Sequence, residues 1–181
     1  MSASHASNDF GACAISEHHD RNYRSARIGD FMTMKRAGES WMPADDYGRS
    51  LPAFTVNLLV ADLARSVAFY MAVLGAKVVY SDPDFAAMRL NDSEFMLHAD
   101  HAYDHHPWHA LLVGGERRGL GAEIRLFPLD PDAVEARARK FGATILQPSQ
   151  DMPHGWRDVI VADPDGYAWA VGVAMPKNSE A

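Results

Sequence analysis

Twelve residues at positions 98–109, HADHAYDHHPWH, hold five histidines and two aspartates. Imidazole and carboxylate are the groups that bind divalent metals, so this run could chelate one. His101 and His105 lie four apart, as do Asp100 and Asp104, which on a helix would put each pair on one face. Pro107 and Trp108 follow at once, however, and nothing nearby repeats at helical period. The stretch therefore predicts a loop, and so many histidines will take up nickel or zinc adventitiously whatever the loop is for. Its role depends on the elements that hold it.

Those elements sit in a chain of 181 residues, 48% hydrophobic and 23% charged, enough for one packed domain with an appendage. The net charge is −7 with no basic run, which argues against nucleic acid or an anionic membrane as partner. A single arginine in a cavity still suffices for a small anionic ligand. Cys13 is the one cysteine, so no intrachain disulfide forms, and a reducing cytoplasm is the expected location. No run of about 18 apolar residues predicts a membrane span, and the start lacks the pattern of a secretion signal.

Residues 1–30 are polar, small and aperiodic and are expected to be a flexible tail. Residues 31–52 carry Phe31, Met32, Met34, Trp41, Met42 and Tyr47, too many large apolar groups for a free tail. They predict an arm packed on the domain or on a partner subunit, with a lid over a ligand as the alternative. The domain follows at 53–175, with 176–181 as a second tail.

Within the domain the order of elements repeats. FTVNLLV reads as a strand, with Val56, Leu58 and Val60 on one face and Thr55, Asn57 and Leu59 on the other. Asp62 can cap a helix that carries Leu63, Val67, Tyr70, Met71 and Leu74 and ends at Gly75. AKVVYS, FAAMRL and EFMLHA are strands joined by turn residues. The second unit has AEIRLF, a helix over PDAVEARARKFG, then ATILQP, WRDVIVA and YAWAVGV. The helix-ending glycines, Gly75 and Gly142, are 67 positions apart. The fold class is thus α+β: two βαβββ modules, at about 54–98 and 120–173, joined by the histidine-rich connection.

Two stretches, VADLARSVAFYMAVLGAKV and the DPDGY turn before the last strand, placed in this order within a duplicated unit, make the chain resemble a known family. From about Phe54 to Val173 it is similar to the vicinal oxygen chelate superfamily, the glyoxalase, bleomycin-resistance and extradiol dioxygenase fold. In look it is nearest the bleomycin-resistance-like branch. The resemblance implies a cup-shaped mixed sheet with helices outside and a ligand inside. It also implies metal-holding positions at Thr55, at His98 or its neighbour Leu97, at Glu123 and at Ala170. Glyoxalase I members fill four such positions and extradiol dioxygenases three of a related set. Here only His98 and Glu123 are good ligands, so no metal is expected, with a divalent metal on His98 and Glu123 as the alternative.

By strand alternation, a cup so built receives Asn57, Glu123 and Arg125, while Ala168, Ala170 and Gly172 leave one wall bare. An apolar hollow with a few convergent polar groups suits a small organic ligand. Arg125 would hold an anionic group and Glu123 a cationic or hydroxyl group, unless the two pair with each other. Glu123 is the candidate catalytic base if the protein is an enzyme. MPHGWRD resembles a motif at the cup mouth, where Trp156 would stack on a flat ligand and Arg157 pair with an acid. The alternative keeps Trp156 in the core and Arg157 on Asp158 or Asp163. His98 and the loop after it form the rim, with His101, Tyr103 and Trp108 as further contacts or simply a solvated loop.

Three functions compete: a cup that binds a small molecule without a catalytic metal; a metal-dependent lyase, isomerase or dioxygenase with an atypical ligand set; and an accessory protein acting through its arm. The resemblance implies a homodimer in either of the first two cases, with no cofactor in the first.

Overall fold

The computed structural model describes residues 39–113, 115 and 118–177. The expected tail at 1–30, the first part of the arm and residues 178–181 lie outside this set. Among the described residues no helix is long and apolar enough to cross a membrane.

Alternation of apolar residues is what builds each module. In the first, β1 (Asn57–Val60) pairs in parallel with β4 (Ser93–Ala99), and β3 (Phe85–Leu90) and β2 (Lys77–Ser81) continue the sheet antiparallel, in the order β1-β4-β3-β2. The second repeats the plan with β5 (Glu123–Leu126), β8 (Ala168–Ala174), β7 (Trp156–Ala162) and β6 (Thr144–Met152), in the order β5-β8-β7-β6. The sheets are separate and each is mixed. Leu58, Val60, Phe95 and Leu97 enter the core from one, and Leu126, Val159, Trp169 and Val171 from the other. The residues between them along each strand point to the opposite face.

A helix covers the apolar face of each sheet. Asp62 caps α2 (Leu63–Phe69) by accepting from the Arg65 amide, and Asp130 caps α4 (Pro131–Phe141) through the amides of Asp132 and Ala133. Gly75 and Gly142 end the two helical segments with φ of 75° and 79°, the left-handed conformation glycine adopts without strain. The first helix departs from the expected spacing. It widens into a π turn over Tyr70–Leu74, and the Ala76 amide reaches back to the Tyr70 carbonyl. The widening shifts the phase, so Phe69, Tyr70, Val73 and Leu74 are all buried, while Met71, expected inside, is exposed and Val67 is only half-buried.

The two helices touch. Phe69 packs edge-on to Phe141 with centroids 5.8 Å apart, and Arg137 Nε donates to the Val73 carbonyl at 2.8 Å. Tyr70, Phe95 and Trp169 form a mutual aromatic cluster across the modules. Burial of each such ring contributes about 1.5–3 kcal/mol. Neither sheet could bury its apolar face alone, which explains the duplication.

Polar stitches join the modules at the connection. Arg118 binds both Asp100 carboxylate oxygens, donates to the Leu59 carbonyl at 2.8 Å and lies 3.5 Å from Asp165. Asp165, in the DPDGY turn, accepts from the Ala61 amide at 2.8 Å and from Ser66 Oγ at 3.1 Å. Tyr167 Oη donates to the Leu59 carbonyl. The last turn of the second module is thereby tied to the end of β1 and the start of α2.

Candidate functional site

The face of each sheet turned away from the helices carries a cluster of polar and aromatic groups. On the first sheet the cluster centres on His98. In the parallel register Leu59 lies beside His98, and in the antiparallel one Phe85 does. The His98 Nδ1 is 2.7 Å from Asn57 Oδ1, and Asn57 Nδ2 donates to Tyr103 Oη at 3.0 Å. If the asparagine oxygen faces the ring, Nδ1 carries the proton and Nε2 keeps its lone pair as an acceptor. Phe85 and Tyr103 flank the imidazole at 4.7 and 4.6 Å.

Burial lowers the His98 pKa from 6.5 to about 4, against a smaller upward pull from Asp82. The ring is therefore neutral in the folded protein at pH 7, a polar acceptor rather than a cation. The unfolded chain binds the proton near pH 6.5, so between about pH 6.5 and 4 it holds more protons than the folded one. Stability from this group is complete above pH 6.5 and is lost as pH falls toward 4. Thermal unfolding at pH 7, 5.5 and 4.5 should show the Tm of the natural chain falling across this window, and falling less in His98→Gln. Equal pH dependence in both chains would contradict the assignment.

Around His98 the rings continue in both directions. Toward the sheet edge, Phe85 meets Tyr80 at 6.3 Å, and Tyr80 Oη donates to Asp82. Toward the rim, Tyr103 meets His106 and His106 meets Trp108, each at 5.2 Å. Strand alternation from Val78 would have put Tyr80 under the helix. A bulge between Val78 and Tyr80 shifts the register and turns Tyr80 to the His98 face. Phe85 was accessible to sequence reasoning, since its antiparallel partner is His98; Tyr80 was not.

The histidine-rich stretch forms a 3₁₀ turn at Asp100–Ala102, then a loop, then the short α3 (His109–Val113). Its side chains have separate partners. His101 is 3.0 Å from Asp84, Asp100 holds Arg118, and the His106 ring accepts from the Trp108 amide. The stretch is thus held by pairwise contacts.

On the second sheet the cluster is charged. Arg125 Nε is 3.4 Å from Glu123, and Nη2 is 3.2 Å from Asp158. Glu123 and Arg125 remain 43% and 47% exposed, whereas Asp158 is 2% exposed. The pairing alternative read from the sequence is therefore present, with Asp158 as a third member. Phe127 lies 5.4 Å beneath the Arg125 guanidinium and 4.3 Å from Trp156, so Trp156 belongs to this face. His154 is 3.4 Å from Asp158.

Two sequence readings need correction here. Gly172 does not leave bare wall, because Asp158, its register partner, occupies the space: an added Cβ would lie 2.1 Å from Asp158 Oδ1. Arg157 is not at the cup mouth. It points to the opposite face, where Asp132 at the start of α4 and Asp151 hold it at 2.6–2.9 Å. Neither acid proposed for it from the sequence is its partner, since a strand neighbour such as Asp158 points to the other face.

The positions where the resemblance implies a metal do not fit one. Thr55 Oγ1 donates to the Glu94 carbonyl, and Ala170 is a buried methyl with no donor atom. His98 could still ligate through Nε2, since only its Nδ1 is engaged with Asn57, but Glu123 sits beside the Arg125 cation, which disfavours a second cation there. Among the described residues no three His, Cys, Asp or Glu side chains converge as a metal site requires.

Comparison with known proteins agrees with this architecture. The family model described as Glyoxalase/Bleomycin resistance protein/Dioxygenase superfamily matches residues 53–171. An uncharacterized protein of Mycobacterium bovis, Mb0911c, is 31% identical over 133 residues, covering 67% of this chain and 82% of the relative. Among solved structures, a glyoxalase/bleomycin resistance protein/dioxygenase from Nocardioides superposes with a TM-score of 0.55 at 22% identity, covering 76% of this chain and 96% of that one. The fosfomycin resistance protein FosX from Mesorhizobium loti superposes at 0.50 with 18% identity, covering 68% and 92%. At these identities the structural matches speak for the fold alone.

Proposed function

Since the chain belongs to the glyoxalase/bleomycin resistance protein/dioxygenase superfamily, we propose that it binds a small organic molecule against its aromatic-lined sheet face without a catalytic metal. The observation that carries this reading is the donor set: a threonine and a buried alanine stand at two of the four expected metal positions, and an arginine pairs with the acid at a third. What the face does offer is flat rings with sparse polar anchors, the composition of a small-molecule site. Asn57 and neutral His98 would supply hydrogen bonds on one sheet. Glu123, Arg125 and Trp156 would recognise a charged or flat part of the ligand on the other. Arg157 is left out, being held by Asp132 and Asp151.

Membership of this superfamily favours a homodimer, with sedimentation at micromolar concentration as the check. The single cysteine and acidic charge favour the cytoplasm, away from nucleic acid. FosX is named for resistance to an antibiotic, and sequestering such a compound is one task that a metal-free cup can perform.

Metal quantification decides the matter. Untagged protein should carry only trace metal, unchanged in His98→Ala and Glu123→Ala. About one metal ion per chain, lost in both variants, would overturn the reading in favour of a metal-dependent lyase, isomerase or dioxygenase.

A further inference from the structure

The arm occupies part of the face just described. Its described portion runs from Glu39 through α1 (Ala44–Ser50), a seven-residue helix with no buried residue. A helix this short is unstable by itself. Aromatic contacts hold it. The Trp41 indole lies on the Tyr80 ring with centroids 5.0 Å apart and planes inclined by 14°, a stacked pair. Tyr47 meets Phe85 edge-on at 5.3 Å. The Tyr47 hydroxyl is buried, accepts and donates no hydrogen bond among the described residues, and has its pKa pushed up to about 12, first by burial and then by Glu94. A buried hydroxyl without a partner is a poor permanent fit. Trp41 itself stays 37% exposed.

We propose that Tyr80 and Phe85 form a stacking slot for a planar aromatic ring, and that Trp41 and Tyr47 occupy this slot as a built-in competitor. The proposal rests on the small-molecule reading above and adds its ligand class and its control. Four features carry it. The slot is adjacent to His98, since Phe85 touches both the imidazole and Tyr80. The Trp41 geometry shows that a flat bicyclic ring is accommodated at stacking distance. The helix of the occupying segment buries none of its residues. Finally, Tyr80 reaches this face only through the β2 bulge, a local irregularity that brings a ring to the slot. A ligand ring entering the slot must displace the arm, so its apparent affinity is reduced by the fraction of chains in which the arm is docked.

Free indole, the Trp41 side chain without its backbone, is the probe. Calorimetric titration of the full chain should show about tenfold tighter indole binding to Trp41→Ala than to the natural chain. Adding Tyr80→Ala to Trp41→Ala should abolish that gain. In the natural chain, saturating indole should speed hydrogen exchange at the amides of α1, because the ring and the arm exclude each other. Equal affinity in the natural chain and Trp41→Ala, or unchanged exchange in α1 at saturation, would overturn the competition. Absence of indole binding in every chain would overturn the slot. Each of these failures is separate from that of the metal-free reading, which the metal measurement decides.

Discussion

Replacing Arg118 with methionine should destabilise the protein by about 3–5 kcal/mol, the cost of breaking a buried ion pair from one side. The guanidinium is 9% exposed and Asp165 is 5% exposed. Methionine keeps much of the volume but leaves Asp165 and Asp100 without their cation and the Leu59 carbonyl without that donor. Burial already raises the Asp165 pKa, and the Arg118 charge is among the forces opposing that rise. In the variant the carboxyl moves higher still and takes up a proton in the fold more readily than in the unfolded chain. A group with a raised folded pKa contributes stability that is present at low pH and lost as pH rises through that pKa. The deficit of Arg118→Met should therefore be greatest at pH 7 and smaller near pH 4.5. Urea unfolding of the natural chain, of Arg118→Met and of Arg118→Met with Asp165→Asn tests this. The double variant should recover part of the loss, because the neutral amide no longer needs a counter-charge. A single-variant deficit below about 1 kcal/mol would mean that the pair is screened as surface pairs are.

Gly172→Ala should cost about 3 kcal/mol, the upper end of overpacking penalties. The glycine sits in β8 opposite Asp158, and a Cβ there would meet Asp158 Oδ1 at 2.1 Å and the Arg157 carbonyl at 2.5 Å. A side chain alone could rotate away. The carbonyl cannot, because the β7–β8 ladder holds it, with pairs from Trp156–Ala174 to Ala162–Ala168 on either side. Asp158 is itself constrained through its Oδ2 by Arg125 and His154. Adding Asp158→Ala to Gly172→Ala should relieve the side-chain part and leave the backbone part. Denaturation midpoints of the two single variants and the double one separate these contributions. Tolerance of Gly172→Ala at less than about 1 kcal/mol would show that the strands have room to part.

Much of the architecture was legible before any coordinates. The recurrence at Gly75 and Gly142 marked two modules because a helix end needs a left-handed residue wherever the chain turns back. Alternation in FTVNLLV and AEIRLF placed Leu58 and Leu126 in the core and Asn57, Glu123 and Arg125 on the other face. The candidate site was legible only in part. Asn57 and His98 meet directly, but the third member of their cluster, Tyr103, comes from the loop after β4. The face bearing Tyr80 depends on a bulge that leaves no periodic trace.

What the sequence by itself determined is therefore the repeating βαβββ order and the face of the residues in its regular strands, such as Leu58, Asn57, Leu126 and Arg125. These follow from side-chain period, which acts over a few residues. What only the tertiary structure decided is who meets whom: Arg157 with Asp132 and Asp151, Asp158 over Gly172, Arg118 between Asp100 and Asp165, and Trp41 on Tyr80. Such pairs join segments far apart in the chain. Their choice depends on how helices and sheets pack against one another, and no short-range pattern records it.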